Sequence, residues 1–145
     1  GENVIGQIKA IGSDVVFTSQ SRYDYIDRVE MTRGLRSVWS ELKESGIQIV
    51  PIRDTPRMSF DPGDCLRESR ADGCGTLRNG AEVEDPYAEA IKYFPGIGIA
   101  DLNDDICGKD ICPAVVGNII VWRDRHHLTA TYARKLAPYL LQKVR

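Results

Sequence analysis

The chain has 145 residues, about one domain by length and enough to bury a single core. Hydrophobic residues make up 42% and charged residues 28%, a globular balance that excludes a disordered chain, a collagen-like repeat and a coiled-coil rod. Nineteen Lys and Arg against 21 Asp and Glu leave a net charge of −2 with no dominant basic stripe, which argues against nucleic acid as a partner.

Val4, Ile5, Ile8 and Ile11 recur at helical spacing, and Gly12 is placed to end that helix. The chain begins without Met inside this predicted helix, as a mature or excised piece of something longer would. No basic stretch followed by an apolar run marks a signal peptide at its start. Asp14–Ser19 follows, short, rich in β-branched residues and apolar on both faces at its centre, which predicts a buried parallel strand. Met31, Leu35, Val38, Trp39 and Leu42 mark one face of an amphipathic helix from about Glu30 to Ser45, with Gly46 as its stop. Ile47–Arg53 reads as the next strand, with Pro51 marking its end or an edge.

The segment from Asp54 to Glu84 is rich in Gly, Pro, Asp and Arg, and a structureless stretch of that length is uncommon in a compact domain. A Cys65–Cys74 bridge would restrain it. Asp85 then reads as a helix N-cap, with Pro86 at the first helical position and a helix running to about Phe94, where Pro95-Gly96 breaks it. Ile97–Leu102 reads as a third strand. Ala114–Val116 and Ile119–Trp122 flank Gly117-Asn118, a hairpin signal. The run from Ala114 to Trp122 is also the longest apolar one, half of the roughly 18 residues a membrane-spanning helix needs. A last helix runs from about Leu128 to Val144, and Pro138 should kink or restart it. Strands alternating with helices predict an α/β domain with a mainly parallel sheet and right-handed crossovers. Ligands bind such sheets beyond the carboxyl ends of the strands, which puts the loops after Ser19, Arg53 and Leu102 on the functional side.

The four cysteines, Cys65, Cys74, Cys107 and Cys112, permit three pairings. Cys65–Cys74 with Cys107–Cys112 costs least in loop closure. Two disulfides would place the chain outside a reducing cytosol. Free thiols and a zinc site are the other readings. Zinc would need tighter Cys pairs and His ligands beside them, so no metal is expected.

Asp124 and His127 are the sharpest chemical pair. A carboxylate three residues before a histidine, on a tight loop entering a helix, can hold one ring nitrogen and leave the other free as a general base. The plainer reading is a surface Asp near a helix N-terminus. Asp101, Asp104 and Asp105 form an acidic cluster without the spacing of a calcium loop, and a solvated turn accounts for it. Asp54 suits a capping role. Trp39 and the tyrosines of the last helix read as core, while Trp122 and Tyr23 are candidates to stack on a sugar ring.

The string from Cys112-Pro113 through Gly117-Asn118, Trp122-Arg123-Asp124-Arg125-His126-His127-Leu128-Thr129 and Tyr132-Ala133 resembles the C-terminal signature of SGNH domains fused to membrane acyltransferases of the acyltransferase-3 family. The likeness extends upstream to Asp14–Phe17, to Ile49–Pro56 and to the paired cysteines. It implies a three-layer α/β/α fold with a mainly parallel sheet, SGNH or flavodoxin-like, as a single partial domain over residues 1–145. It also implies catalytic roles for Asp124 and His127, with His126 second because of its spacing. SGNH enzymes carry their nucleophile in a Gly-Asp-Ser element after the first strand, and none occurs here. Gly12-Ser13-Asp14 has the wrong order and precedes a strand, so Ser13 reads as a turn or cap residue. The resemblance therefore implies a chain truncated upstream, with an exposed edge or incomplete core where the first strand is missing. It also implies little esterase activity from the 145 residues alone. The Gly-x-Asn-Asp element is not legible either. In its place Thr18-Ser19-Gln20-Ser21-Arg22 offers Ser19, Gln20 and Arg22 as substrate-binding candidates, or a plain loop.

By resemblance the parent protein acylates cell-surface glycans at the extracytoplasmic side, attached to the membrane. Its partners would be the fused membrane domain, the acyl donor delivered through it and the glycan, with no cofactor. The alternatives are a non-catalytic glycan-binding or accessory module, and a part of a secreted carbohydrate esterase.

Overall fold

A computed structural model describes residues 3–21, 25–82 and 84–143. The chain divides into two compact units, Gly1–Asp54 with Asp85–Ala100, and Thr55–Glu84 with Asp101–Arg145. Among the described residues no helix is long and apolar enough to cross a membrane.

The first unit opens with helix α1, Val4–Ala10, whose first turn is capped by Asn3: its Oδ1 accepts the Gly6 amide at 2.9 Å. Strand β1, Val15–Ser19, runs parallel to β2, Gln48–Ile52, with Val16 opposite Ile49 and Phe17 opposite Val50. Between them lies helix α2, Arg28–Glu44. It starts two residues before the predicted boundary because the Asp27 carboxylate accepts the Val29 and Glu30 amides at 2.8 and 3.2 Å. Gly46, with φ +75, turns the chain out of the helix into β2.

The core of this unit is Trp39 and Leu42 from α2, Ile47, Ile49 from β2, and Tyr87, Ala90 and Phe94. The Trp39 ring lies 5.3 Å from Tyr87 and meets Phe94 nearly edge-on at 5.5 Å, spacings at which aromatic pairs attract. Three expectations are corrected here. Strand β1 is not buried on both faces: Val16 packs on the core, but Val15 and Phe17 stand 40% and 49% exposed. The predicted helix after Asp85 gives way to turns and a 3-10 turn over Ala90–Tyr93. Its cap is real, for Asp85 accepts the Tyr87 amide at 2.8 Å, but nine residues closed off by Pro95 are too few to carry a helix without strong propensity. The third strand shrinks to one bridge, in which Ala100 donates to Pro51 at 2.8 Å and accepts from Arg53 at 3.0 Å.

The second unit is made of shorter pieces. Helix α3, Pro62–Glu68, is capped by Asp61 and tied back to the following turn by a Cys65–Cys74 disulfide with Cα atoms 5.8 Å apart. Strand β3, Thr76–Leu77, leads into a single helical turn, α4, Arg78–Ala81. A second short turn of helix, α5, spans Asn103–Ile106. Strand β4, Ile111–Cys112, pairs antiparallel with β3. A Cβ on Gly75 would fall 2.6 Å from the Ile111 side chain, so this close approach requires glycine. The Cys107–Cys112 disulfide closes the loop before β4. Among the readings of the four cysteines, the structure therefore has the local disulfide pairing, with no free thiol.

The predicted hairpin forms as β5, Val115–Val116, and β6, Ile119–Ile120, with Gly117 at φ +60 in the turn. Helix α6, Ala130–Lys143, starts where the Thr129 hydroxyl accepts the Tyr132 amide at 3.2 Å, and it runs through Pro138 without restarting. Val144 lies outside the described residues. The core gathers Met58, Leu102, Ile106, Val121, Trp122, Tyr132 and Leu136 around the Cys107–Cys112 bridge. Together the units are mixed α/β with small sheets: one parallel pair with its bridge, and two antiparallel pairs. The mainly parallel three-layer sheet is not formed among the described residues.

Candidate functional site

The segment between β6 and α6 forms a closed loop. Trp122 bridges Leu128 in antiparallel fashion, and the Arg123 amide donates to the His127 carbonyl at 2.8 Å. That closure turns the Asp124 side chain back over the loop's own amides. Its Oδ1 accepts the His126 and His127 amides at 3.0 and 2.9 Å. Its Oδ2 meets Nδ1 of the His127 ring at 2.7 Å.

Partial burial alone would raise the Asp124 carboxyl. Hydrogen bonds from the His126 amide, the His127 ring and the His127 amide, together with the His127 charge, outweigh burial and hold the carboxyl well below the usual carboxylate range. An ionised Asp124 can only accept, so Nδ1–H of His127 is the donor in this contact, and in the neutral ring the lone pair falls to Nε2. The His127 side chain is 54% exposed, and Nε2 has no hydrogen-bond partner among the described residues. The loop thus presents a positioned imidazole nitrogen to solvent.

A second set of contacts fixes the loop from outside. The Thr55 hydroxyl donates to the His126 carbonyl at 2.8 Å, and the Met58 amide donates to the Arg125 carbonyl at 2.6 Å. The Arg125 guanidinium reaches back to the Met58 and Ser59 carbonyls at 3.4 and 3.2 Å. Thr55, Met58, Ser59 and Arg125 therefore hold the pair in place. Sequence reasoning missed them as site residues, although Thr55 lies in the Ile49–Pro56 stretch that carries the resemblance.

The structure brings His126 to the same place. Its Nδ1 is 3.6 Å from Asp124 Oδ1 and its ring centroid 4.1 Å from that of His127. Ligand atoms of Asp124, His126 and His127 lie within 4.8 Å of one another, a set that suits a divalent transition ion. An ion seated there would compete with the proton on His127 Nδ1 for the carboxylate.

Trp122 is corrected as a sugar-stacking residue. It is 1% exposed and its indole N–H donates to the Pro113 carbonyl at 2.9 Å, so its ring is core and offers no face to a sugar. Ser19 and Gln20 lie in the first unit at the carboxyl end of β1, where they line a cavity of about 380 Å³ with Ile26, Met31, Leu35 and Tyr87. Burial pushes the Tyr87 hydroxyl up to about 12, so it stays a neutral phenol. Arg22 and Tyr23 lie outside the described residues. Two members of the acidic cluster have structural partners: Asp101 accepts the Asn103 amide at 2.9 Å, and Asp104 pairs with Arg78 at 2.5 Å. Asp54 accepts the Ser21 hydroxyl at 2.9 Å.

Against known families, residues 4–142 match the one described as "SGNH domain (fused to AT3 domains)". No curated protein and no solved structure matches the chain.

Proposed function

The chain belongs to the SGNH domains fused to acyltransferase-3 domains, and from that membership we propose that it contributes the base and its orienting carboxylate to acyl transfer onto a cell-surface glycan. The observation that carries this reading is the 2.7 Å contact between Asp124 and His127 Nδ1, which leaves Nε2 open. Its partner in that chemistry is a serine nucleophile. His127 Nε2 takes the serine hydroxyl proton as the oxygen attacks the acyl carbonyl, and gives that proton to the departing donor group. It then takes a proton from a glycan hydroxyl, which attacks the acyl-serine, and returns it to the serine. Asp124 holds the ring and balances the imidazolium throughout. The acyl group is delivered through the fused membrane domain. The two disulfides suit an extracytoplasmic, oxidising setting for that chemistry.

A second reading, a glycan-binding or accessory module, draws on the missing Gly-Asp-Ser and the unpartnered Nε2. The parent protein separates the two. With His127→Ala, acylation of the glycan and trapping of an acyl-serine should both disappear. Acylation at the wild-type level in that variant would leave the module reading standing.

A further inference from the structure

On the first unit, one face of α2 and the turn at Glu89–Tyr93 enclose a cleft of about 390 Å³. Arg28, Arg33 and Arg36 line it together with Thr32 and Tyr93. The carboxylate on its wall, Glu89, is already neutralised by Lys92 at 2.7 Å. With Arg33 and Arg36 on its wall, the cleft is cationic in a chain whose net charge is −2. Arg33 and Arg36 lie three residues apart on α2, where like charges repel.

Two further features give the cleft a ligand's shape. The Arg36 guanidinium lies 3.7 Å over the centre of the Tyr93 ring. Stacking holds it in one plane and leaves its in-plane N–H donors for an incoming anion. A second cleft, of about 330 Å³, adjoins along the helix, sharing Arg33 and Arg36 and adding Ser37 and Ser40. From Arg28 to Ser40 the helix rises roughly 18 Å, a track for several linked units rather than one small ion.

We propose that this groove binds an acidic oligosaccharide, with Arg33 and Arg36 on its carboxylates or phosphates, Tyr93 holding the Arg36 guanidinium in place, and the Ser37 and Ser40 hydroxyls on neutral positions between them. Concavity disfavours a flat lipid surface, and the disulfide-forming setting disfavours nucleic acid. The ligand's identity as a glycan rests on the proposed function. Occupancy of the groove does not, because it needs neither acyl donor nor serine.

The test is a titration of the 145-residue chain at low salt with pentagalacturonate, maltopentaose, phosphatidylglycerol vesicles and a ten-residue oligothymidylate, followed by calorimetry and by amide shifts. Pentagalacturonate should bind at least tenfold more tightly than maltopentaose, move the amides of Arg33, Arg36 and Tyr93, and weaken as salt is added. Arg33→Glu/Arg36→Glu and the milder Arg33→Gln/Arg36→Gln should each lose at least tenfold in affinity with an unchanged melting temperature. Tyr93→Ala should lose a smaller factor, and His127→Ala none. Absence of pentagalacturonate binding, binding indifferent to the arginine variants, or binding only to vesicles or oligothymidylate would overturn the proposal. Loss of glycan acylation in His127→Ala beside failed groove binding would overturn the groove alone; intact groove binding beside retained acylation would overturn the catalytic reading alone.

Discussion

The two units reach order by different routes. In the first, a 17-residue helix lays Trp39 and Leu42 against two parallel strands, and the core is an aromatic cluster without a covalent link. In the second, apart from α6, elements run from two to seven residues, and two disulfides with side-chain caps supply what short elements cannot supply themselves. A long regular scaffold makes a surface; a stapled set of short segments makes a loop held by hydrogen bonds from several sides. The Asp124–His127 pair sits on the stapled kind.

The largest expected effect tests what the loop is for. Asp124→Asn removes the acceptor that fixes the His127 tautomer, and acyl transfer by the parent protein should fall roughly 10³–10⁴-fold. ¹⁵N shifts of His127 should show the Nδ1–H form in the wild type and a mixture in the variant. The first unit breaks through its core: Trp39→Ala should destabilise it by about 3–5 kcal/mol, read as loss of amide protection over Gln48–Ile52. The second breaks through its staples. Each Cys→Ser pair should cost about 2–3 kcal/mol in denaturant unfolding, and reductant should strip protection from residues around Trp122 before it touches β2. Protection lost together in both would erase the contrast drawn here. Thr129→Ala, which removes the cap of α6, should cost about 1 kcal/mol.

The smallest effect sharpens the comparison by pH. Asp124 has a lowered folded value, so its stabilising contribution is fully present above the unfolded carboxyl value of about 3.9 and is lost only as pH falls through the lower folded value. The Asp124 carboxyl ¹³C shift should stay flat through about pH 4 and move only below it, and Asp124→Asn should flatten the acid limb of the unfolding curve over the same window.

What could be read from the sequence divides along the same line. Helix α2 announces itself through apolar spacing, and the β5–β6 turn through Gly117-Asn118, because one periodicity or one glycine decides them. Between Asp54 and Glu84 the order comes from the Asp61 cap and from Gly75 against Ile111, neither of which leaves a period, while the Cys65–Cys74 bridge is legible from its short loop. The same holds at the site. Asp124 and His127 are three residues apart and legible. Thr55 reaches His126 from 71 residues away, and only the folded chain joins them.

Strand β1 pairs with β2 alone among the described residues, and Phe17 stands out from it half exposed. No strand among the described residues pairs with its other edge, which leaves backbone donors and acceptors there for an incoming strand. In concentrated solution such an edge is a seed: two copies can align there and extend one another's sheet, and the purified chain should grow in apparent size with concentration. A lysine at Phe17, which puts a charge on that rim without touching the core, should keep it a single chain.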